Sequence, residues 1–404
     1  MAGIAFWLCV FFVFYVYAGY PLLIAVLARL RPKPVWPPQE LPRVTLLIAA
    51  HNEEKAIESK LINTAALDYP RDRLQILIAD DGSVDRTAEI VQAYAPKGIQ
   101  LFRIAPRRGK MAALNLAMKE VRNEIVLFSD ADNLYSPDAV RKMVEPFSDP
   151  SVGAVSGGRE VPGERALGKA EGLYWKYEEF IKRQESRLGS CVAAAGDAFA
   201  IRRQLFLPPP PDIINDDFFL VLEVLKQHYR VVYAPGARST HPVTETETGE
   251  IERRARMVAG RYQAIFKGFR MLPFGHPVVV WQIISHKYLR PIVPLAVILA
   301  MIANAIAFVL PSRLALPGWL VLARPYVWIT LALEVLFFAL AALGVRRRFP
   351  GIIGRVLYLP TFLINSNFAA LKGLYRYLTE AQTVFWTRPR DELPIKKGEA
   401  SPRR

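Results

Sequence analysis

Residues 1–28 carry no charged side chain, and neither do residues 291–310. About 20 consecutive apolar residues are enough to cross a bilayer as a helix. Two such stretches on either side of a polar middle predict one soluble domain tied to a membrane at both ends. Residues 1–30 are expected as an N-terminal transmembrane helix. No basic residue precedes their apolar run, and the run is longer than the core of a cleaved signal peptide. Residues 291–345 are expected as two transmembrane helices, with Glu334 in the middle of the second. Residues 277–290 mix Trp281, His286, Lys287 and Arg290 with apolar positions, the composition of an interfacial helix. In residues 356–380, Asn365, Asn367, Lys372 and Arg376 interrupt the apolar pattern. A third membrane or interfacial segment is expected there, returning a basic cytoplasmic tail at residues 386–404.

The net charge of +15 does not mark a nucleic-acid partner, because much of the excess flanks the apolar stretches. Arg29, Arg31, Lys33 and Arg43 follow the first. Arg346, Arg347 and Arg348 follow a later one, and Lys396, Lys397, Arg403 and Arg404 close the chain. Cations placed this way face the anionic cytoplasmic leaflet and membrane lipids. Residues 44–272 then lie in the cytoplasm. Two cysteines, Cys9 and Cys191, make no disulfide framework and fit a reducing compartment.

Within residues 44–272 the pattern alternates. Strands are predicted at 44–49, 74–79, 100–104 and 125–128, and helices at 53–66, 85–94 and 111–121. That alternation means an α/β domain with a mostly parallel, doubly wound, Rossmann-like sheet. Ligands of such sheets bind beyond the carboxyl ends of the strands. Asp80-Asp81-Gly82-Ser83 and Asp130-Ala131-Asp132 both fall there. The stiff proline run at 208–211 is expected to deliver Asn215-Asp216-Asp217 from a loop.

Two carboxylates plus substrate phosphates suit Mg2+ or Mn2+, so Asp130 and Asp132 are the candidate metal ligands. Alternation along an extended chain would put both side chains on one side. Asp80 and Asp81 can accept hydrogen bonds from a base or ribose; the alternative is an Asx-turn, for which Asp-Gly is well suited. Lys110 follows Gly109 at a predicted helix start, where a point charge and the helix terminus favour a phosphate. Asp217 beside Asp216 is the candidate catalytic pair. Adjacent carboxylates against Phe218 and Phe219 have raised pKa values, which suits proton abstraction. Arg253 and Arg256 share a helix face and can neutralise a departing diphosphate; the alternative is a salt-bridged surface helix, given Glu245, Glu247, Glu250 and Glu252 just before them. The whole reads as an enzyme that holds a metal diphosphate beside a membrane.

These residues resemble glycosyltransferase family 2, in its membrane-integrated branch of cellulose, hyaluronan and poly-N-acetylglucosamine synthases. The resemblance rests on His51-Asn52-Glu53-Glu54, Asp80-Asp81-Gly82-Ser83, Gly109-Lys110 with Asn115, Asp130-Ala131-Asp132, the stretch 196–203, Asn215-Asp216-Asp217 and the run 253–257. It implies a glycosyltransferase A fold, a nucleotide-sugar donor (usually a uridine diphosphate sugar) and inversion at the anomeric carbon. It implies that Asn52, Glu53 and Asp81 contact the nucleoside and Lys110 the nucleotide. Asp130 and Asp132 would serve diphosphate and metal, and Asp217 would deprotonate the acceptor hydroxyl. Trp386-Thr387-Arg388 partly matches a tryptophan–arginine element of some synthases. The expected protein is integral to a bacterial inner membrane and extends a polysaccharide or a lipid-linked acceptor. Processive synthases carry Gln-x-x-Arg-Trp, whereas this chain has Arg253-Arg254-Ala255-Arg256-Met257. The lost Trp, which shapes the acceptor site, leaves single addition to a lipid acceptor as the alternative. A nucleotide-binding scaffold without turnover is opposed by intact Asp130, Asp132 and Asp217.

Overall fold

The computed structural model describes the backbone of residues 1–32, 36, 40–160, 166–210, 212–240, 247–312, 314–346 and 351–381. It describes their side chains except at 166–173, 247, 248, 250, 268, 269, 345, 346 and 351–358. The basic tail at 386–404, with Trp386-Thr387-Arg388, lies outside the described residues, as do Arg347 and Arg348.

Four strands form the parallel half of one sheet: β1 Val44–Ala50, β2 Leu74–Asp81, β3 Ile99–Ile104 and β4 Ile125–Asp130. Both faces of these strands are covered. Leu46, Ile48, Ile76 and Ile78 enter one core, while Leu47, Leu77, Val126 and Phe128 enter the other. Burial on both sides is why the strands read as continuous apolar runs rather than alternating ones. The second half comprises β5 Leu134–Tyr135, β6 Val152–Glu160, β7 Phe199–Arg202 and β8 Arg230–Thr240. The spatial order of the eight-stranded sheet is β3-β2-β1-β4-β7-β6-β8-β5. β7 runs antiparallel to both β4 and β6, so the sheet is mixed although mostly parallel.

Register places the acidic motifs. Ala50 pairs with Asp80 on one side of β1, and Ala49 pairs with Asp130 on the other. The acidic ends of β2 and β4 therefore flank the carboxyl end of the central strand, where a doubly wound sheet leaves its crevice.

Among the described residues, three helices are long and apolar enough to cross a membrane: Ala2–Arg29, Pro277–Val309 and Tyr326–Gly344. Phe6 and Cys9 of the first pack with Ala300, Ala303 and Ala307 of the second, small residues that let helix backbones approach. The second and third are tied by polar contacts. Asn304 Nδ2 donates to Glu334 Oε1 at 3.0 Å, and Thr330 Oγ1 donates to Asn304 Oδ1 at 3.0 Å. Glu334 thus has a partner on another helix, which offsets the cost of a carboxylate within a span, at least about 2.5 kcal/mol when unpaired.

Residues 277–290 run without a break into the apolar run that follows, as one helix with a π turn at Ile284–Tyr288. His286 and Arg290 are buried in it rather than lying on a surface. The last described segment, Gly351–Leu378, is a single helix with Pro360 inside it. It packs against the helix Glu247–Phe266, where Lys372 and Arg376 both pair with Glu252.

Candidate active site

The loops after β1 and β2 are laced together. His51 Nδ1 lies 2.7 Å from the Asp81 carbonyl, the Asn52 amide donates to Ser83 Oγ at 3.0 Å, and Asn52 Oδ1 accepts the Val84 amide at 2.9 Å. Asn52 has φ 52°, a left-handed backbone that Asn tolerates because its short polar side chain bonds locally. The Glu53 amide donates to Thr87 Oγ1 at 2.7 Å.

The two β2 acids face protein donors. Asp80 is fully buried; its Oδ1 accepts the Ser83 amide at 3.1 Å and its Oδ2 lies 3.2 Å from Arg103 Nε. That is the Asx-turn geometry the Asp-Gly pair permits. Asp81 accepts the Arg108 amide at 2.7 Å and the Gly109 amide at 2.8 Å. Asp81 therefore orders the basic loop that presents Lys110. Gly82, at φ 66°, leaves no room for a side chain: a Cβ there would lie 2.9 Å from the Arg107 nitrogen.

Lys110 opens the helix Lys110–Ala117. Its Nζ is 2.6 Å from Asp130 Oδ1 and 4.0 Å from Asp216 Oδ2. Burial works against the ammonium, but Asp130 and Asp216 outweigh it and hold its pKa above the usual lysine range. β4 ends at Asp130 and the chain turns at once, so Asp132 sits in a turn. The side-by-side relation of Asp130 and Asp132 expected from an extended chain is thus replaced by one that the turn sets.

That turn is braced from below by a residue the sequence reading did not single out. Lys60 belongs to the helix Ile57–Ala65 and is 0% exposed. Its Nζ donates to Ser129 Oγ at 2.7 Å, to the Asn133 carbonyl at 2.8 Å and to Asn133 Oδ1 at 2.8 Å. Asn133 in turn donates to the Asp197 carbonyl at 2.8 Å and to Ser239 Oγ at 2.9 Å. The one sequence signal is spacing: Lys60 shares the buried stripe of Ile57, Leu61 and Thr64.

Asp216 and Asp217 form the first turn of the helix Asp216–Lys226, with Asn215 at its cap position. They are presented by a helix start rather than by a loop, where the macrodipole favours acids. Asn215 Nδ2 donates to the Met257 carbonyl at 2.9 Å, and Gly260 leaves space for that side chain. Burial and the neighbouring Asp216 push the Asp217 carboxyl up, against the Phe218 amide, Lys287 and Lys110. Arg256 faces the same acids: its charge acts on Asp216, Asp130 and Asp217. Arg253 instead directs Nη1 to Met257 Sδ at 3.6 Å.

The structure thus brings Lys110, Asp130, Asp216, Asp217 and Arg256 to one place, with Asp132 beside them on the β4 turn. Asn52, Glu53, Asp80 and Asp81 form the adjoining wall at β1 and β2. Among the described residues no group of three or more His, Cys, Asp or Glu side chains makes a closed metal cage. Two carboxylates on an open turn fit a hard cation that completes its shell with phosphate oxygens and water.

Residues 45–207 match the family model described as Glycosyl transferase family 2. A poly-β-1,6-N-acetyl-D-glucosamine synthase of Staphylococcus aureus (strain COL) is 30% identical over 237 residues, covering 57% of this chain and 57% of that protein. The Staphylococcus epidermidis protein of the same name is 28% identical over 239 residues, with the same shares. The match spans a little over half the length of these curated relatives. Among solved structures, the mannosyltransferase PcManGT of Pyrobaculum calidifontis, in complex with GDP-Man and Mn2+, aligns with a TM-score of 0.71 at 24% identity. That alignment covers 95% of this chain and 100% of that one.

Proposed function

We propose, from the match of residues 45–207 to the family 2 glycosyltransferase model, that the protein is a membrane-bound inverting glycosyltransferase. It moves a sugar from a nucleotide-sugar donor, a uridine diphosphate sugar by family habit, to a polysaccharide or lipid-linked acceptor. The sheet is the glycosyltransferase A fold, shared with the mannosyltransferase. The observation that carries the reading is the position of Lys110 between Asp130 and Asp216. One cation links the diphosphate end of the pocket to the acidic pair where an acceptor hydroxyl would be activated.

In this reading Asp217 takes the acceptor proton. The acceptor oxygen bonds to the anomeric carbon from the face opposite the diphosphate. The bond from that carbon to the diphosphate breaks, and its electron pair leaves with the diphosphate. Lys110 and Arg256 receive the charge that develops there. Asp130 and Asp132 would hold Mg2+ or Mn2+, which when bound supplies further charge neutralisation at the phosphates. Asn52, Glu53 and the loop ordered by Asp81 line the nucleoside end. The apolar helices anchor the domain in a membrane, with the catalytic side in the cytoplasm and the acceptor nearby.

Single addition and polymer extension share this chemistry. Met257, where processive synthases carry Trp, favours single addition to a lipid-linked acceptor. The test is incorporation of labelled sugar from uridine diphosphate N-acetylglucosamine, uridine diphosphate glucose and guanosine diphosphate mannose into membrane lipid and polymer, with and without chelator. A metal-dependent product from one donor supports the reading, and its length separates one addition from many. No turnover with any donor would leave a non-catalytic nucleotide-binding protein.

A further inference from the structure

The Asp130–Asp132 turn is closed from behind by one ammonium group. Lys60 Nζ bonds Ser129 Oγ, just before the turn, and the carbonyl and Oδ1 of Asn133, just after it. Ser129 Oγ also donates to Asn133 Oδ1 at 2.8 Å, so the two ends are tied directly as well. Lys60, Ser129 and Asn133 are all buried. A lysine ammonium has three donor hydrogens and no acceptor, and three acceptors meet it here. The rest of its helix stripe is Ile57, Leu61 and Thr64. An apolar side chain at this position would fill the interior with no charge to desolvate. What the lysine adds is the clip across the turn.

The network continues past the turn. Asn133 Nδ2 donates to the Asp197 carbonyl and to Ser239 Oγ, and Ser239 Oγ donates to Asp197 Oδ2 at 2.8 Å. Tyr135, whose ring lies 4.3 Å from Lys60 Nζ, donates its hydroxyl to the same Asp197 carbonyl at 2.7 Å. The residue before Asp197 rests on the candidate base: a Cβ on Gly196 would lie 3.3 Å from Asp217 Cβ. One path, from Lys60 to Asn133 to Asp197 to Gly196, thus joins the carboxylates suited to a metal to the carboxylate suited to an acceptor proton.

Two effects oppose each other at the turn. An ammonium repels a second cation, but Asp130, Asp197 and Asp132 all act on Lys60 and offset that repulsion. The hydrogen bonds fix where Asp130 and Asp132 stand before a metal arrives. Residues that orient metal ligands in this way are typically worth about tenfold to a hundredfold in metal affinity. We propose that Lys60 and Asn133 are positioning residues that hold the Asp130–Asp132 turn ready for Mg2+ or Mn2+ and fix its place relative to Asp217. This rests on the glycosyltransferase reading and extends its machinery to two buried residues.

The test titrates the full chain in detergent with Mn2+, followed by electron paramagnetic resonance, alone and with uridine or guanosine diphosphate. Lys60→Met and Asn133→Ala should each weaken Mn2+ binding at least about tenfold. Asn133→Ala keeps the Lys60 charge and its bond to Ser129, so it tests the network even if Lys60→Met does not fold. Thr64→Ala, one turn further along the same helix, loosens the packing without touching the turn and should leave Mn2+ affinity within about twofold of wild type. At saturating Mn2+, transfer by Asn133→Ala should stay at least about tenfold below wild type, because the turn and Asp217 are no longer held together. Unchanged Mn2+ affinity in Asn133→Ala, or an equal loss in Thr64→Ala, overturns the clip. Tighter Mn2+ binding in Lys60→Met overturns it too, since repulsion would then outweigh positioning. Full recovery of the rate at saturating Mn2+ overturns the link to Asp217. No Mn2+ binding by the wild type under any of these conditions overturns the metal assignment and the proposal with it. Wild-type Mn2+ binding without transfer from any donor counts against the glycosyltransferase reading and not against the clip.

Discussion

Lys110 Nζ stands 2.6 Å from Asp130 Oδ1, so the cation suited to a donor phosphate is held by a carboxylate suited to a metal. The two come from different elements, a helix start and a strand end, and meet because β4 lies beside β1 at the same end of the sheet. Lys110→Gln should therefore weaken nucleoside diphosphate binding about tenfold to a hundredfold, the value of one charge-assisted bond. Calorimetric titration of the wild type and the variant with the same diphosphate and Mn2+ checks this. Equal affinities would place the phosphates elsewhere.

Asp217 makes a pH prediction. Burial and Asp216 raise its pKa above the ordinary aspartate value of about 3.9. A base must be ionised, so the rate should fall as pH drops through that raised value. Asp216→Asn removes a neighbouring negative charge and should move this acid limb to lower pH, whatever it does to the maximum rate. A pH–rate profile whose acid limb stays in place in Asp216→Asn would separate the limb from Asp217.

Lys60→Met should cost stability rather than contacts to substrate. It removes three hydrogen bonds; Ser129 Oγ still donates to Asn133 Oδ1 at 2.8 Å, but the buried Asn133 carbonyl loses its donor. At about 1–3 kcal/mol for each buried group left unpaired, a loss of about 3 kcal/mol is expected. Burial also pulls the Lys60 pKa down to about 7, against the pull of Asp130, Asp197 and Asp132. Between that value and about 10.4 the unfolded chain binds the proton and the folded one does not, so this group adds stability as pH rises. The stability gap between wild type and Lys60→Met should widen from pH 7 towards pH 10 in denaturant titrations. A constant gap would contradict it.

Much of this fold is legible in the sequence, for physical reasons. β1, β2, β3 and β4 announce themselves because strands packed on both faces need unbroken apolar runs. β5 to β8 do not. β5 has two residues and β7 four, Gly157 and Gly158 interrupt β6, and Pro235 and Gly236 interrupt β8. The acidic ends of β2 and β4 are legible because the chemistry needs those side chains at strand ends. Lys60 is not, because a fully buried lysine breaks the burial rule and only its three acceptors explain it. Arg290 reads as an interfacial residue for a similar reason: its ion pair with Glu178 of the helix Ala166–Leu188 depends on the tertiary fold.

Asn304 and Glu334 supply a test of helix association. The pair joins two apolar helices through a contact of 3.0 Å. Polar contacts between membrane helices contribute about 0.6 kcal/mol on average and up to about 1.7. A double-mutant cycle with Asn304→Leu and Glu334→Leu, followed by unfolding in detergent, should return a coupling in that range. Additive effects would mean that the two side chains are independent.

The most direct test is Asp217→Asn, assayed for both sugar transfer and nucleoside diphosphate binding. A base that acts on the acceptor contributes roughly a hundredfold to ten-thousandfold in rate. Transfer should therefore fall by at least about a hundredfold, while diphosphate affinity stays within about twofold of wild type. Transfer near the wild-type rate, or a collapse of diphosphate affinity along with the rate, would contradict the assignment of Asp217 as the base.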